Sequence, residues 1–248
     1  MLRDTRILMG MPITIEIVDA VDPSILEEVY GYFADVEERF SVFKDTSEIS
    51  TFNQGRISAS DFSADMQEVL TIAERTKNQS DGYFEIRKPD GSLNPSGIVK
   101  GWAIRNAARL LQAKGVVNFF VDAGGDIQTG GHNRDGQDWR VGIRNPFNSA
   151  EIIKALVLKG NGIATSGTYV RGQHIYNPHE PAQTIDDIVS LTVIGPDVLE
   201  ADRFATAAFA MGRDGIYFIE EMAGFEGYMV DAKGIATQTS GFGGYVVK

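Results

Sequence analysis

Between residues 5 and 18 apolar and polar positions alternate, with Ile13, Ile15 and Ile17 on one face. A period of two predicts a half-buried strand. After Asp22-Pro23, an acid and a proline placed to begin a helix, the period changes. Ile25, Leu26, Val29, Phe33, Val36 and Phe40 hold a helical stripe to about residue 43. The run FSVFKDTSEISTFN, Phe40 to Asn53, reads as a turn and a short helix. Ser63 or Asp61 is placed to cap a second helix, with Met66, Val69, Leu70 and Ala73 on its inner face. Residues 79–97 collect glycine, proline and polar side chains and read as turns and loop. From Val99 a third helix carries Trp102, Ala103, Ala107, Leu110 and Leu111 inward, and Gly115 ends it.

The second half is richer in strands. VVNFFVDAGGDIQTGG reads as a buried strand entering a glycine-rich turn, and WRVGIRNP, EIIKALVLKG, GIATSG and IVSLTVIG as further strands. The stretch EADRFATAAFAMG, Glu200 to Gly212, then predicts a long helix. Asp197 stands as N-cap with Glu200 completing a capping box, and Gly212 supplies the stop. Ala201, Phe204, Ala205, Ala208 and Phe209 face a core. Asp202 and Thr206, four apart, share one side of that helix close to the apolar stripe. A carboxylate there is costly unless something compensates it. A hard cation does so by taking carboxylate, hydroxyl and carbonyl oxygens; a solvated first-turn acid beside a filler hydroxyl is the plainer alternative. A short helix near 213–222 and strands at 226–231, 234–238 and 243–247 complete the chain. This order is no regular βαβ alternation, and it predicts an α+β fold in one domain, 1–248, with helices covering antiparallel-rich sheets.

Composition removes several classes of function. No run approaches the about 18 apolar residues of a membrane span. The opening MLRDTRILMGMPITIEI lacks the basic and apolar regions of a secretory leader, so the chain as read is expected in the cytoplasm. A chain trimmed of its leader would read the same, which leaves a periplasmic or membrane-anchored location open. With no cysteine, disulfides, thiolate metal sites and cysteine nucleophiles are excluded. A net charge of −11 with no basic stripe argues against a nucleic-acid partner.

The turn DAGGDIQTGG lacks the G-x-G-x-x-G order and leads into a strand, so it is no dinucleotide fingerprint. Gly124-Gly125 fits either a close backbone approach or a plain tight turn. ATSGTYVRGQHIYNP sets Ser166 after a short strand without the G-x-S-x-G of a hydrolase elbow. Its His174 is either a general base or a surface histidine.

Taken together, these segments resemble the FAD:protein FMN transferase (ApbE) family. The resemblance is carried by Met9-Gly10, by FSVFKDTSEISTFN, by LNPSGIVKGWAIRN, by VDAGGDI, by ATSGTYVRGQHIYNP and by ADRFATAAFAMG, in the family's order across residues 9–212. It implies an α-β-β-α sandwich (T-fold-like) and Mg²⁺-dependent transfer of FMN from FAD to a threonine or serine hydroxyl of an acceptor protein, releasing AMP. It implies Asp202 and Thr206 as Mg²⁺ ligands, with a main-chain oxygen near Gly97. It also implies FAD contacts at Met9, Phe43, the stretch Tyr83, Phe84 and Glu85, Asn94, Lys100 and Ile175, and His174 as proton acceptor. The chain departs from the family in the short region 79–97. Glu85 and Asn94 stand where aspartates are usual, and Asn177 replaces an aspartate. FAD hydrolysis to FMN and AMP, a non-catalytic flavin-binding protein and a non-catalytic structural homologue are the alternatives.

Overall fold

The computed structural model describes residues 1–168 and 175–247. Its frame is an eight-stranded, wholly antiparallel sheet. In spatial order the strands are β1 (Leu2–Leu8), β2 (Met11–Ile17), β3 (Phe119–Ala123), β4 (Asp126–Gly130), β7 (Gly162–Gly167), β8 (Ile188–Gly195), β9 (Glu226–Asp231) and β10 (Ala236–Gln238). The interval between β4 and β7 is filled by a separate hairpin, β5 (Trp139–Asn145) and β6 (Asn148–Leu158).

Alternation of side chains sorts the two faces. Ile13, Ile15, Ile17, Phe119, Val121 and Ala123 point into a core formed with α1 (Ser24–Phe40), α3 (Ala64–Gln79) and α4 (Ser96–Ala113). Leu191, Val193 and Met229 continue that face under α5 (Val198–Ala210) and α6 (Gly215–Glu220). On the opposite face Ile127, Ile163, Ile194, Tyr228 and Val230 are covered by Val141, Ile143, Leu156 and Leu158 of the hairpin. The α+β expectation therefore holds, with the helices on one face and the hairpin as the second β layer.

The local differences have physical causes. The single strand expected at 5–18 is a hairpin: Met9 and Gly10 both take positive φ, 53° and 72°, and fold β1 back onto β2. The stretch 40–53 yields α2 (Glu48–Asn53), capped by Ser47. Ser63 caps α3 by accepting the Met66 amide, while Asp61 closes the short turn before it. The strand expected at 243–247 is a 3₁₀ turn from Phe242 to Tyr245, with only a bridge from Val246 to Leu156. Phe242 is buried against Tyr228, and three glycines in GFGGY favour a turn over a strand.

The N-terminal end of α5 is tied to the sheet. Asp197 accepts the Glu200 amide as its N-cap, and Gln128 on β4 accepts the Val198 amide at 2.8 Å. A side chain at Gly162 would leave no room for this, because its Cβ would lie 1.9 Å from the Val198 nitrogen. Gly162→Ala is expected to lower stability by about 3 kcal/mol or more, the upper end of overpacking, since the obstacle is backbone. Urea unfolding tests this, and an unchanged midpoint would refute the seating of α5 on β7.

Candidate active site

The site lies where α4, α5, β4 and β7 meet. Helices α4 and α5 touch at Gly101, whose Cβ would lie 2.7 Å from Asp202 Cβ and 2.9 Å from the Val198 carbonyl oxygen. Glycine thus permits an approach close enough for the Gly101 amide to donate to Asp202 Oδ2 at 2.8 Å. Asp202 is buried, at 4% exposure. The solvated-acid alternative fails, because α5 is enclosed on nearly all sides.

Lys100, one residue before that contact, reaches across to β4. Its Nζ lies 2.5 Å from Asp126 Oδ2 and 3.9 Å from Asp202 Oδ1. The other Asp126 oxygen accepts the Thr165 amide at 3.1 Å. Two buried carboxylates therefore share one ammonium. Burial pushes the Asp202 carboxyl well above the usual carboxylate range; Lys100 pulls it down, and the neighbouring Asp126 raises it further.

One turn along α5, Thr206 Oγ1 lies 3.3 Å from the Gly97 carbonyl and 3.5 Å from Ser166 Oγ. Both distances are long for hydroxyl hydrogen bonds, which favour about 2.7–2.8 Å, so these oxygens are loosely engaged. The ring of Phe84 closes the floor: a Cβ on Gly97 would meet Phe84 Cε2 at 3.3 Å and Thr206 Cγ2 at 3.1 Å. Among the described residues no three His, Cys, Asp or Glu side chains converge as a metal-binding group. The donors here are two carboxylates, two hydroxyls and a carbonyl. Oxygen-only sets of this size suit a hard ion that keeps several waters, as Mg²⁺ does, and not zinc.

The structure thus brings together Gly97, Asp202 and Thr206, expected at the metal, and Lys100 and Phe84, expected at the flavin. The Gly124-Gly125 turn was singled out from the chain, but Asp126, the first residue of β4 beyond it, was missed. A carboxylate directly after a double-glycine turn and opening a fully buried strand is the signal that was available. The other residues expected to contact flavin have partners of their own in the fold. Tyr83 and Ile175 pack against the same core cluster. Met9 donates its amide to Glu37 at 3.1 Å at the β1–β2 turn, and Phe43 is 94% exposed. Glu85 pairs with Lys77 at 2.7 Å, which holds its carboxyl below the usual range despite partial burial. Asn94 accepts the Ser96 amide and hydroxyl at the entry to α4. His174 lies outside the described residues.

Fold and site define an α+β protein with an acidic, oxygen-lined centre between two helices and a sheet. The ApbE family model matches residues 9–88 and 86–229, and the chain belongs to that family. A FAD:protein FMN transferase of Escherichia coli K12 is 30% identical over 179 residues, covering 68% of this chain and 50% of that protein. One from Haemophilus influenzae is 23% identical, covering 86% and 80%. The chain spans about half the length of the first of these relatives. Among solved structures, a flavin transferase ApbE from Vibrio cholerae superposes with a TM-score of 0.86 at 23% identity, covering 98% of each chain. An ApbE protein from Thermotoga maritima gives 0.86 at 19% identity, covering 100% and 99%. These two likenesses establish the fold.

Replacing Asp202 separates its structural and chemical roles. Asp202→Ala leaves the Gly101 amide without its acceptor, at a cost of about 1–3 kcal/mol. That exceeds the roughly half a kcal/mol by which alanine is the better helix former. Asp202→Asn keeps an oxygen for Gly101 and offers N–H groups toward Asp126. Because the folded protein holds the Asp202 proton more tightly than the unfolded chain, the group favours folding at acid pH. That contribution is lost as pH rises through the elevated pKa. In chelator, the Asn variant should therefore gain on wild type in Tm as pH climbs from about 4 past neutrality, and the Ala variant should melt below the Asn variant throughout. A gap between Asn and wild type that does not vary with pH would refute the buried-acid reading.

Proposed function

We propose that residues 1–248 act as one domain that transfers FMN from FAD to a threonine or serine hydroxyl of an acceptor protein. The observation that carries this reading is a buried cluster of oxygen donors, two of them carboxyl groups beside one ammonium, in a chain of the ApbE family. In the reaction the acceptor oxygen attacks the phosphorus on the FMN side of the diphosphate. A P–O bond to the adenylate side breaks, AMP leaves with the electron pair, and the hydroxyl proton passes to a base. The family resemblance assigns that base to His174.

Asp202, Thr206 and the Gly97 carbonyl are the residues that would hold Mg²⁺, with Asp126 beside them. Bound there, the ion supplies charge neutralisation and polarisation at the diphosphate. The chain's own residues prepare the ground. The Gly101 amide fixes the orientation of Asp202. Asp126 holds the Lys100 ammonium at the centre, where it adds positive charge next to an anionic substrate. Phe84 packs beside Gly97 and walls one side of the centre, next to the loosely held hydroxyls.

A diphosphate meets repulsion from two carboxylates unless a cation accompanies it, so FAD should bind more tightly with Mg²⁺ than in chelator. Incubating the protein with FAD, Mg²⁺ and a candidate acceptor distinguishes the chemistries. Flavin-labelled acceptor plus AMP marks transfer, free FMN plus AMP marks hydrolysis, and unchanged FAD marks a binder. Asp202→Asn should cut AMP release by at least about a hundredfold, beyond what loss of an outer-shell partner of a metal costs. Wild-type turnover in that variant, or FAD binding indifferent to Mg²⁺, would count against this function.

A further inference from the structure

The turn leaving α3 is held from outside. Asp81 takes a positive φ of 49°, unusual for a side chain other than glycine, and Gly82 follows at 85°. Local hydrogen bonds define this turn: the Gly82 amide donates to the Lys77 carbonyl at 2.8 Å, Tyr83 to Ser80 at 2.9 Å, and Phe84 to Ser80 Oγ at 3.0 Å. A residue ninety-eight positions later reaches the same turn. His179 Nε2 lies 2.9 Å from the Asp81 carbonyl oxygen. Its ring stands edge-on to Tyr83, with centroids 4.6 Å apart and planes at 70°. Gly82 leaves space for that ring, since a Cβ there would lie 3.3 Å from His179 Cε1.

A carbonyl can only accept, so Nε2 must carry the hydrogen, in the neutral and the protonated imidazole alike. His179 is itself fixed by its amide bond to Asn177 Oδ1 at 2.9 Å. The contacts continue inward. Tyr83 and Ile175 pack on one core cluster, and the next residue, Phe84, is buried in the adjoining core beside Gly97. A path of neighbouring groups thus runs from His179 through the turn to Gly97, whose carbonyl lies 3.3 Å from Thr206 Oγ1.

We propose that His179 is a positioning residue for the flavin reaction. It clamps the turn 81–84 to the segment 175–187, so that Phe84 stays seated beside Gly97. The inference rests on the flavin-transfer reading above. Its stem is one hydrogen bond and one ring contact at an exposed residue, so its loss should weaken FAD binding about three- to tenfold.

The test compares His179→Ala, His179→Gln (donor kept, ring lost) and His179→Phe (ring kept, donor lost). In the metal-free protein, hydrogen exchange at the amides of residues 82–84 should quicken several-fold in the Ala variant, while mid-helix amides of α3 hold their rates. With FAD and Mg²⁺, KM for FAD should rise three- to tenfold with kcat within about twofold, and the Gln and Phe variants should each recover part of the loss. If wild type binds FAD yet exchange and KM in the Ala variant match wild type, the clamp is overturned. A lowered Tm with unchanged KM shows a merely structural residue and overturns it as well. A wild type that binds no FAD overturns the flavin reading, and the role claimed for His179 falls with it.

Discussion

Two carboxylates buried against one ammonium, between α4 and α5, are the arrangement on which the rest of the molecule depends. Two carboxyl groups away from water are expensive to ionise together, and the surrounding structure is built to hold them in place. Gly101 lets the helices meet, Gly162 lets α5 sit on β7, and Gln128 ties the first amide of α5 to β4. The inner residues of α5 are small where the approach is tightest, with Ala201, Ala205, Ala207 and Ala208 all at 0% exposure. Larger side chains there would hold α5 off the sheet and admit water to Asp202. Close packing and a buried acidic centre are thus one requirement, met by the same residues.

Elements whose signal is local were legible in the chain. The stripe Ile25 to Phe40, the stops at Gly115 and Gly212 and the alternation in β2 and β5 depend on neighbours a few residues away, and they stand where their periodicity put them. The misses rest on signals that polarity alone does not carry, one local and the others between distant segments. The β1–β2 hairpin broke an apparently continuous alternation because the signal is the backbone twist at Met9-Gly10, which polarity does not encode. Asp202 read as ambiguous because its burial is decided by Gly101, about a hundred residues earlier. Asp126 escaped for the same reason, since its partners Lys100 and Thr165 come from α4 and β7. The capping box at α5 was half right: Asp197 caps, but the Glu200 carboxylate turns instead to Arg203 and Arg75. Arg203 is buried beneath it and also reaches Gln79 and Thr76 at the end of α3. A buried guanidinium outweighs one orphan amide as a destination for that carboxylate.

The short region 79–97 shows how a departure from the family pattern can be absorbed. Glu85 and Asn94, where aspartates are usual, are both engaged by the fold: Glu85 by Lys77 and the Arg87 amide, Asn94 by Ser96. Asn94 also donates its own amide to Ile86, and Asn53 brackets Leu93 through both its carbonyl and its amide. The loop is therefore a pinned strap from α3 to α4, tied by short hydrogen bonds instead of by its own core. Its one deeply buried aromatic near the centre, Phe84, touches Gly97, whose carbonyl faces Thr206. The oxygen cluster itself is set by α4, α5, β4 and β7, none of which lies in the loop before Ser96. What the loop governs instead is the wall beside the cluster. There Tyr83, in edge-on contact with His179, stands half-buried between the solvent and the packed interior, so a change in this part of the loop acts on the wall before it reaches the buried carboxyl groups.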